Sequence, residues 1–96
     1  MHYRLEYTAA ARKQIKKLPA DILSRIIQTI ERLTDNPRPE GIKKLTGYRE
    51  YYRIRVGNYR IIYTIMDEQL IVLVIRVAHR KNVYRRLNPV NLVDLK

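Results

Sequence analysis

The stretch Tyr52-Arg53-Ile54-Arg55-Val56-Gly57-Asn58-Tyr59-Arg60-Ile61-Ile62-Tyr63 decides the fold, because it sets two runs of alternating side chains on either side of a glycine-asparagine pair. A two-residue loop with glycine first suits a type II′ turn, and that turn pairs Val56 with Tyr59. Counting outward, Arg55 faces Arg60 and Arg53 faces Ile62, so these four side chains point to one side of the sheet, where the three arginines are expected to share an uncovered face. The other side carries Tyr52, Ile54, Val56, Tyr59, Ile61, Tyr63 and Ile65, an apolar face that must be covered.

The cover lies upstream. Residues Tyr3 to Tyr7 alternate and predict a first strand, and Thr8 can cap a helix through Leu18 on which Ala11, Ile15 and Leu18 share a face. Pro19 breaks that helix and opens the next, about Ala20 to Leu33, where Ile22, Leu23, Ile26, Ile27, Ile30 and Leu33 form a wide apolar stripe. Asn36-Pro37 ends it, Pro37 to Gly41 is a loop, and Ile42 to Tyr48 connects the two halves. Strands are expected over Glu50 to Val56, Tyr59 to Met66 and Leu70 to Ala78, the last two joined near Asp67-Glu68. The predicted fold is α+β: an N-terminal strand and a helical hairpin on one face of a small, mainly antiparallel sheet, with Asn88 to Lys96 as a short C-terminal helix or tail.

The 96 residues are read as one domain, 1–96, with a core of Ile, Leu, Val and Tyr, since Phe and Trp are absent. Cysteine is absent too, which excludes a disulfide framework, a thiolate metal site and a cysteine nucleophile. The first residues lack the apolar stretch of a signal peptide, and no run approaches the roughly 18 apolar residues of a membrane span, so the chain is expected to be cytoplasmic and to have no membrane partner. Lys plus Arg number 20 against 9 Asp plus Glu, a formal net charge of +11, which points to nucleic acid or a strongly acidic protein as partner.

Like charges directly opposite across strands destabilise by about 0.2–1 kcal/mol, so a purely structural hairpin would not set Arg55 against Arg60. Two readings fit: a face that holds phosphates, or a solvated basic face. The choice of residue favours the first, because from Arg49 to Arg86 there are eight arginines and one lysine, and guanidinium forks match phosphate oxygens two at a time. After the last strand comes His79-Arg80-Lys81-Asn82-Val83-Tyr84-Arg85-Arg86, a basic run with a tyrosine inside it, an interleaving that suits RNA bases stacking on Tyr and Arg planes.

The hairpin span from Tyr52 to Tyr63, followed by Val77-Ala78-His79-Arg80-Lys81-Asn82-Val83-Tyr84, resembles the two signature blocks of RelE-type toxins of the RelE/ParE superfamily. Leu33-Thr34-Asp35-Asn36-Pro37 and Lys43-Lys44-Leu45-Thr46-Gly47 resemble the segments that precede them, and the likeness runs from Tyr3 to Leu87. The resemblance implies a type II toxin that cleaves mRNA in the ribosomal A site, the RNA's own 2′-hydroxyl attacking the adjacent phosphate, with no metal and no other cofactor. It implies catalytic roles for Arg60, the phosphate-stabilising arginine, for Arg80, the second arginine, and for Tyr84, which stacks on and orients a base. Arg53 and Arg55 occupy the family's two basic strand positions, often lysine there, and arginine at both weakens a lysine acting as base.

His79, Lys81, Arg85 and Arg86 complete the expected RNA-binding set, with His79 also readable as an ordinary strand-end histidine bonded to backbone. The expected partners are mRNA, the ribosome and an acidic antitoxin, with no small-molecule substrate. The competing functions are a ParE-type poison of DNA gyrase and a non-enzymatic basic RNA-binding module.

One register stays open. A strict two-residue loop at Asp67-Glu68 would set Arg60 opposite Ile75 and turn Arg80 to the wrong side by parity. A three-residue loop pairs Arg60 with Arg76, and an odd loop or a bulge is required if Arg80 is to join the arginine face.

Overall fold

The computed structural model describes residues 2–45 and 50–83. In chain order these form β1 (Arg4–Tyr7), α1 (Ala9–Lys16), α2 (Ala20–Asp35), β2 (Lys43–Lys44), β3 (Tyr51–Val56), β4 (Tyr59–Met66), a 3-10 turn (Asp67–Gln69) and β5 (Ile71–His79). The strands make one sheet in the order β1-β5-β4-β3-β2, with β1 parallel to β5 and the remaining pairs antiparallel. This is the α+β arrangement expected, two helices on a mixed sheet.

Local chemistry accounts for the elements. Thr8 is extended and its hydroxyl accepts the Ala11 N–H at 3.1 Å, the capping bond that starts α1. That helix stops at Lys16, short of Leu18, because the Lys17 and Leu18 amides tighten onto Gln14 and Ile15 before Pro19. Ile22, Ile26, Ile30 and Leu33 of α2 recur at helical spacing and are buried against Val56, Ile61, Tyr63, Ile65, Val72, Val74 and Val77 of the sheet. The Gly57-Asn58 hairpin takes the expected register, Val56 opposite Tyr59, Arg55 opposite Arg60 and Arg53 opposite Ile62. Gly57 has φ +58° while Asn58 is not among the positive-φ residues, the pattern of a type II′ turn.

Three features differ from the expectation. The segment after Gly41 holds a short edge strand, β2, whose Lys43 and Lys44 pair with Arg53 and Tyr52; lysine has little strand preference, so the pairing with β3 and not propensity makes it. The β4–β5 connection spans Asp67 to Leu70, with Met66 opposite Ile71, and turns on Leu70 in the left-handed region at φ +56°. The arginine side of the sheet is not uncovered: Tyr51, Ile62, Leu73, Ile75 and Val83 form a second buried cluster there. The cause is β5, apolar at successive positions from Ile71 to Ile75, which must be buried on both faces.

A polar clasp closes the end of the sheet away from the Gly57 turn. Arg38 donates from Nη1 and Nη2 to the two carboxylate oxygens of Asp67 at 3.1 and 2.8 Å, and the Tyr3 hydroxyl donates to the same carboxylate at 2.8 Å. The Arg38 bond, seconded by Tyr3, holds the Asp67 carboxyl below its ordinary 3.8. The folded state therefore binds this proton less tightly than the unfolded chain, so the clasp stabilises fully above about pH 4 and is lost as pH falls through the lowered folded value. Thermal unfolding of the wild type and Asp67→Asn from pH 2 to 7 is expected to show a gap at neutral pH that closes below about pH 4. A constant gap would mean the clasp does not titrate.

Candidate functional site

The hairpin brings Arg53, Arg55 and Arg60 onto one sheet face, with Arg55 exposed and the other two half-buried. Lys43, opposite Arg53 on β2, adds an exposed cation to the same side, which the sequence reading missed because it gave that segment no strand. Arg60 Nη1 donates to the Gly57 carbonyl at 3.1 Å and to its neighbour's, Tyr59, at 2.9 Å. The type II′ turn thus orients the guanidinium, and two carbonyl dipoles offset part of its repulsion from Arg55.

On β5 a bulge decides which residues join this face. The ladder runs Met66↔Ile71 to Tyr63↔Val74, shifts by one residue, and resumes at Ile62↔Arg76 and Arg60↔Ala78. The longer connection alone does not correct the parity; the extra residue, Ile75, does. Arg80 donates its N–H to Asn58 O at 2.8 Å, which carries the same register one step past β5 and keeps Arg80, exposed, on the side of Arg60 and Ala78 beside the turn. Arg76 also enters the face, with Nη1 donating to Val83 O at 3.0 Å. Sequence reasoning did not select Arg76, since without the bulge its parity is unknown.

His79 does not join them. It alternates with Ala78 and Arg80, pairs with Tyr59, and lies edge-on to that ring at 5.6 Å between centroids. Its Nδ1 accepts the Lys81 N–H at 3.3 Å, a backbone bond of the kind the plainer reading expects. Lys81 is exposed in the turn that follows, where the Asn82 and Val83 amides donate to His79 O at 2.8 and 3.0 Å. Tyr84, Arg85 and Arg86, assigned to the site from the sequence, lie outside the described residues.

The described part of the site is thus a row of guanidinium groups over a buried apolar floor. Such a row can hold the oxygens of a phosphodiester and stabilise charge that grows on them. Elsewhere among the described residues, Asp35, Asp67 and Glu50 form ion pairs with His2, Arg38 and Lys44.

Residues 5–84 match the family described as "ParE toxin of type II toxin-antitoxin system, parDE". The toxin RelG of Mycobacterium tuberculosis is 33% identical over 87 residues, 90% of this chain and 100% of that protein. The mRNA interferase toxin RelE of Escherichia coli is 30% identical over 83 residues, 84% of this chain and 86% of that one. Among solved structures, the toxin–antitoxin complex RelBE2 from Mycobacterium tuberculosis contains a chain that superposes with a TM-score of 0.73 at 32% identity, over 83% of this chain and 100% of that chain. The family match, the relatives' identities and the superposition cover nearly the same span, and the chain belongs to the RelE/ParE family of type II toxin–antitoxin toxins.

Proposed function

We propose that this toxin is a ribosome-dependent endoribonuclease that cleaves mRNA in the A site. The observation that carries the reading is the register that sets Arg60 opposite Arg55 and Ala78, with Arg80 next to the turn. In the reaction the 2′-hydroxyl of one nucleotide loses its proton as its oxygen bonds to the adjacent phosphorus, and the bond to the 5′-oxygen of the next breaks as that oxygen gains a proton, leaving a 2′,3′-cyclic phosphate and a 5′-hydroxyl. The pentacoordinate species between them carries more negative charge than the ground state, so cations fixed in advance favour it selectively. Arg60 and Arg80 take that role without a metal ion, as permanent cations and not as bases. Arg53, Arg55, Lys81, Arg85 and Arg86 hold the RNA backbone, and Tyr84 stacks on a base. An acidic antitoxin neutralises the basic surface, as the complex formed by the relative suggests.

Primer extension on mRNA after brief induction tests this. Cleavage within codons that requires translation is the expected result, and intact mRNA would refute it. The family description by which residues 5–84 are matched favours a second reading, a ParE-type gyrase poison, which would instead leave translation running while DNA damage and filamentation appear.

A further inference from the structure

β5 reaches the arginine face only because its register changes. If the ladder from Met66↔Ile71 to Tyr63↔Val74 ran on unbroken, Ile75 would lie opposite Ile62 and Val77 opposite Arg60. Arg76, Ala78 and Arg80 would then turn toward the helices, and Val77, now buried beneath them, would turn away.

The bulge that prevents this is held from the other edge of β5. β1 ends opposite Val74, and the next residue, Thr8, bonds to β5 twice: its N–H donates to Val74 O at 3.0 Å and its hydroxyl to Ile75 O at 2.6 Å. Consecutive carbonyls of a regular strand point to opposite edges. Here both point at Thr8, so the hydroxyl takes the carbonyl that β4 has given up. The same oxygen accepts the Ala11 N–H at 3.1 Å, and the side chain is buried, so its direction is set by the start of α1. Beyond the bulge, Val77 donates its N–H to Gln14 Oε1 at 2.8 Å, and α1 thus continues the edge that β1 leaves.

We propose that Thr8 is a positioning residue of the site: its hydroxyl pins the Ile75 bulge, and the bulge delivers Arg76 and Arg80 to the face that carries Arg60. The consequence for activity rests on the endoribonuclease reading above; the consequence for register does not. Thr8 acts through a backbone carbonyl and touches no RNA.

The experiment compares the full chain with Thr8→Val and Thr8→Ala, which lose the donor, Thr8→Ser, which keeps it, and Ile30→Val as a destabilised control remote from the bulge. Cross-strand NMR contacts between Ile62 and Arg76 report the register, and single-turnover cleavage on programmed ribosomes reports rate and half-saturation separately. Thr8→Val and Thr8→Ala are expected to lose the Ile62–Arg76 contact and at least about tenfold in maximal rate, because Arg80 is then no longer held on the face of Arg60 and even a misplacement of about 1 Å costs up to about a hundredfold. Their half-saturation should shift by less than about twofold, because the remaining arginines still bind phosphate. Thr8→Ser should match the wild type in both readouts, and Ile30→Val should lower Tm alone. An intact contact, or wild-type rates in a variant that has lost it, overturns the proposal. So does failure of both Thr8→Val and Thr8→Ala to fold, which would make the hydroxyl a determinant of the fold and not of the register. If the wild type itself does not cleave, the endoribonuclease reading falls, while the contact measurement still supports or overturns the link between Thr8 and the bulge.

Discussion

Arg60→Ala is expected to lower single-turnover cleavage on the programmed ribosome by two to three orders of magnitude, because losing one preorganised donor to a developing oxyanion costs about 3–4 kcal/mol. The guanidinium is preorganised by the Gly57 and Tyr59 carbonyls, so its direction is set before RNA arrives. It also lies opposite Arg55, where a bound phosphate converts repulsion into shared attraction. Stability should barely move. The lost bonds to Gly57 and Tyr59 are worth about 1 kcal/mol in a half-exposed setting, and relief from Arg55 returns about 0.2–1 kcal/mol. Arg60→Lys should recover only part of the rate, since an ammonium cannot reproduce the fork. Urea unfolding beside the kinetic measurement separates the outcomes: a large loss of stability, or near-normal cleavage by the alanine variant, would refute the role given to Arg60.

The second large effect is expected where the site looks most like surface. Ile62 lies between Arg53 and Arg76 in the cross-strand rows, and alternation alone would make it an exposed neighbour of arginines, replaceable at a cost within about 0.5 kcal/mol. In the folded chain it is 0% exposed, packed with Tyr51, Leu73, Ile75 and Val83. Ile62→Ala is therefore expected to cost about 2–5 kcal/mol in chemical denaturation, the usual penalty for emptying a packed site. It should weaken cleavage as well, because Val83, which receives the Arg76 bond, loses its support. A cost under about 1 kcal/mol would show that the arginine side has no core of its own.

These two residues mark the boundary between what was legible and what was not. The sequence by itself determined the hairpin and its faces: side chains alternate with period two, and a two-residue turn at Gly57-Asn58 admits one register, so Arg53, Arg55 and Arg60 had to align. It likewise determined the helical cover, because Ile22, Ile26, Ile30 and Leu33 have one spacing and one destination, and the Thr8 cap, because a hydroxyl before a helix has one common use. What only the tertiary structure decided lies on β2 and β5. Lys43 and Lys44 form a strand because β3 offers an edge, a contact absent from their own propensity. The row from Ile71 to Ile75 is apolar at every position, so periodicity could not say which side chains face which way. The bulge that brings Arg76 and Arg80 to Arg60 depends on a hydrogen bond between Thr8 and Ile75, residues 67 positions apart. Parity is a local rule, but a single extra residue resets it, and where that residue sits is chosen by the strand and helix packed alongside.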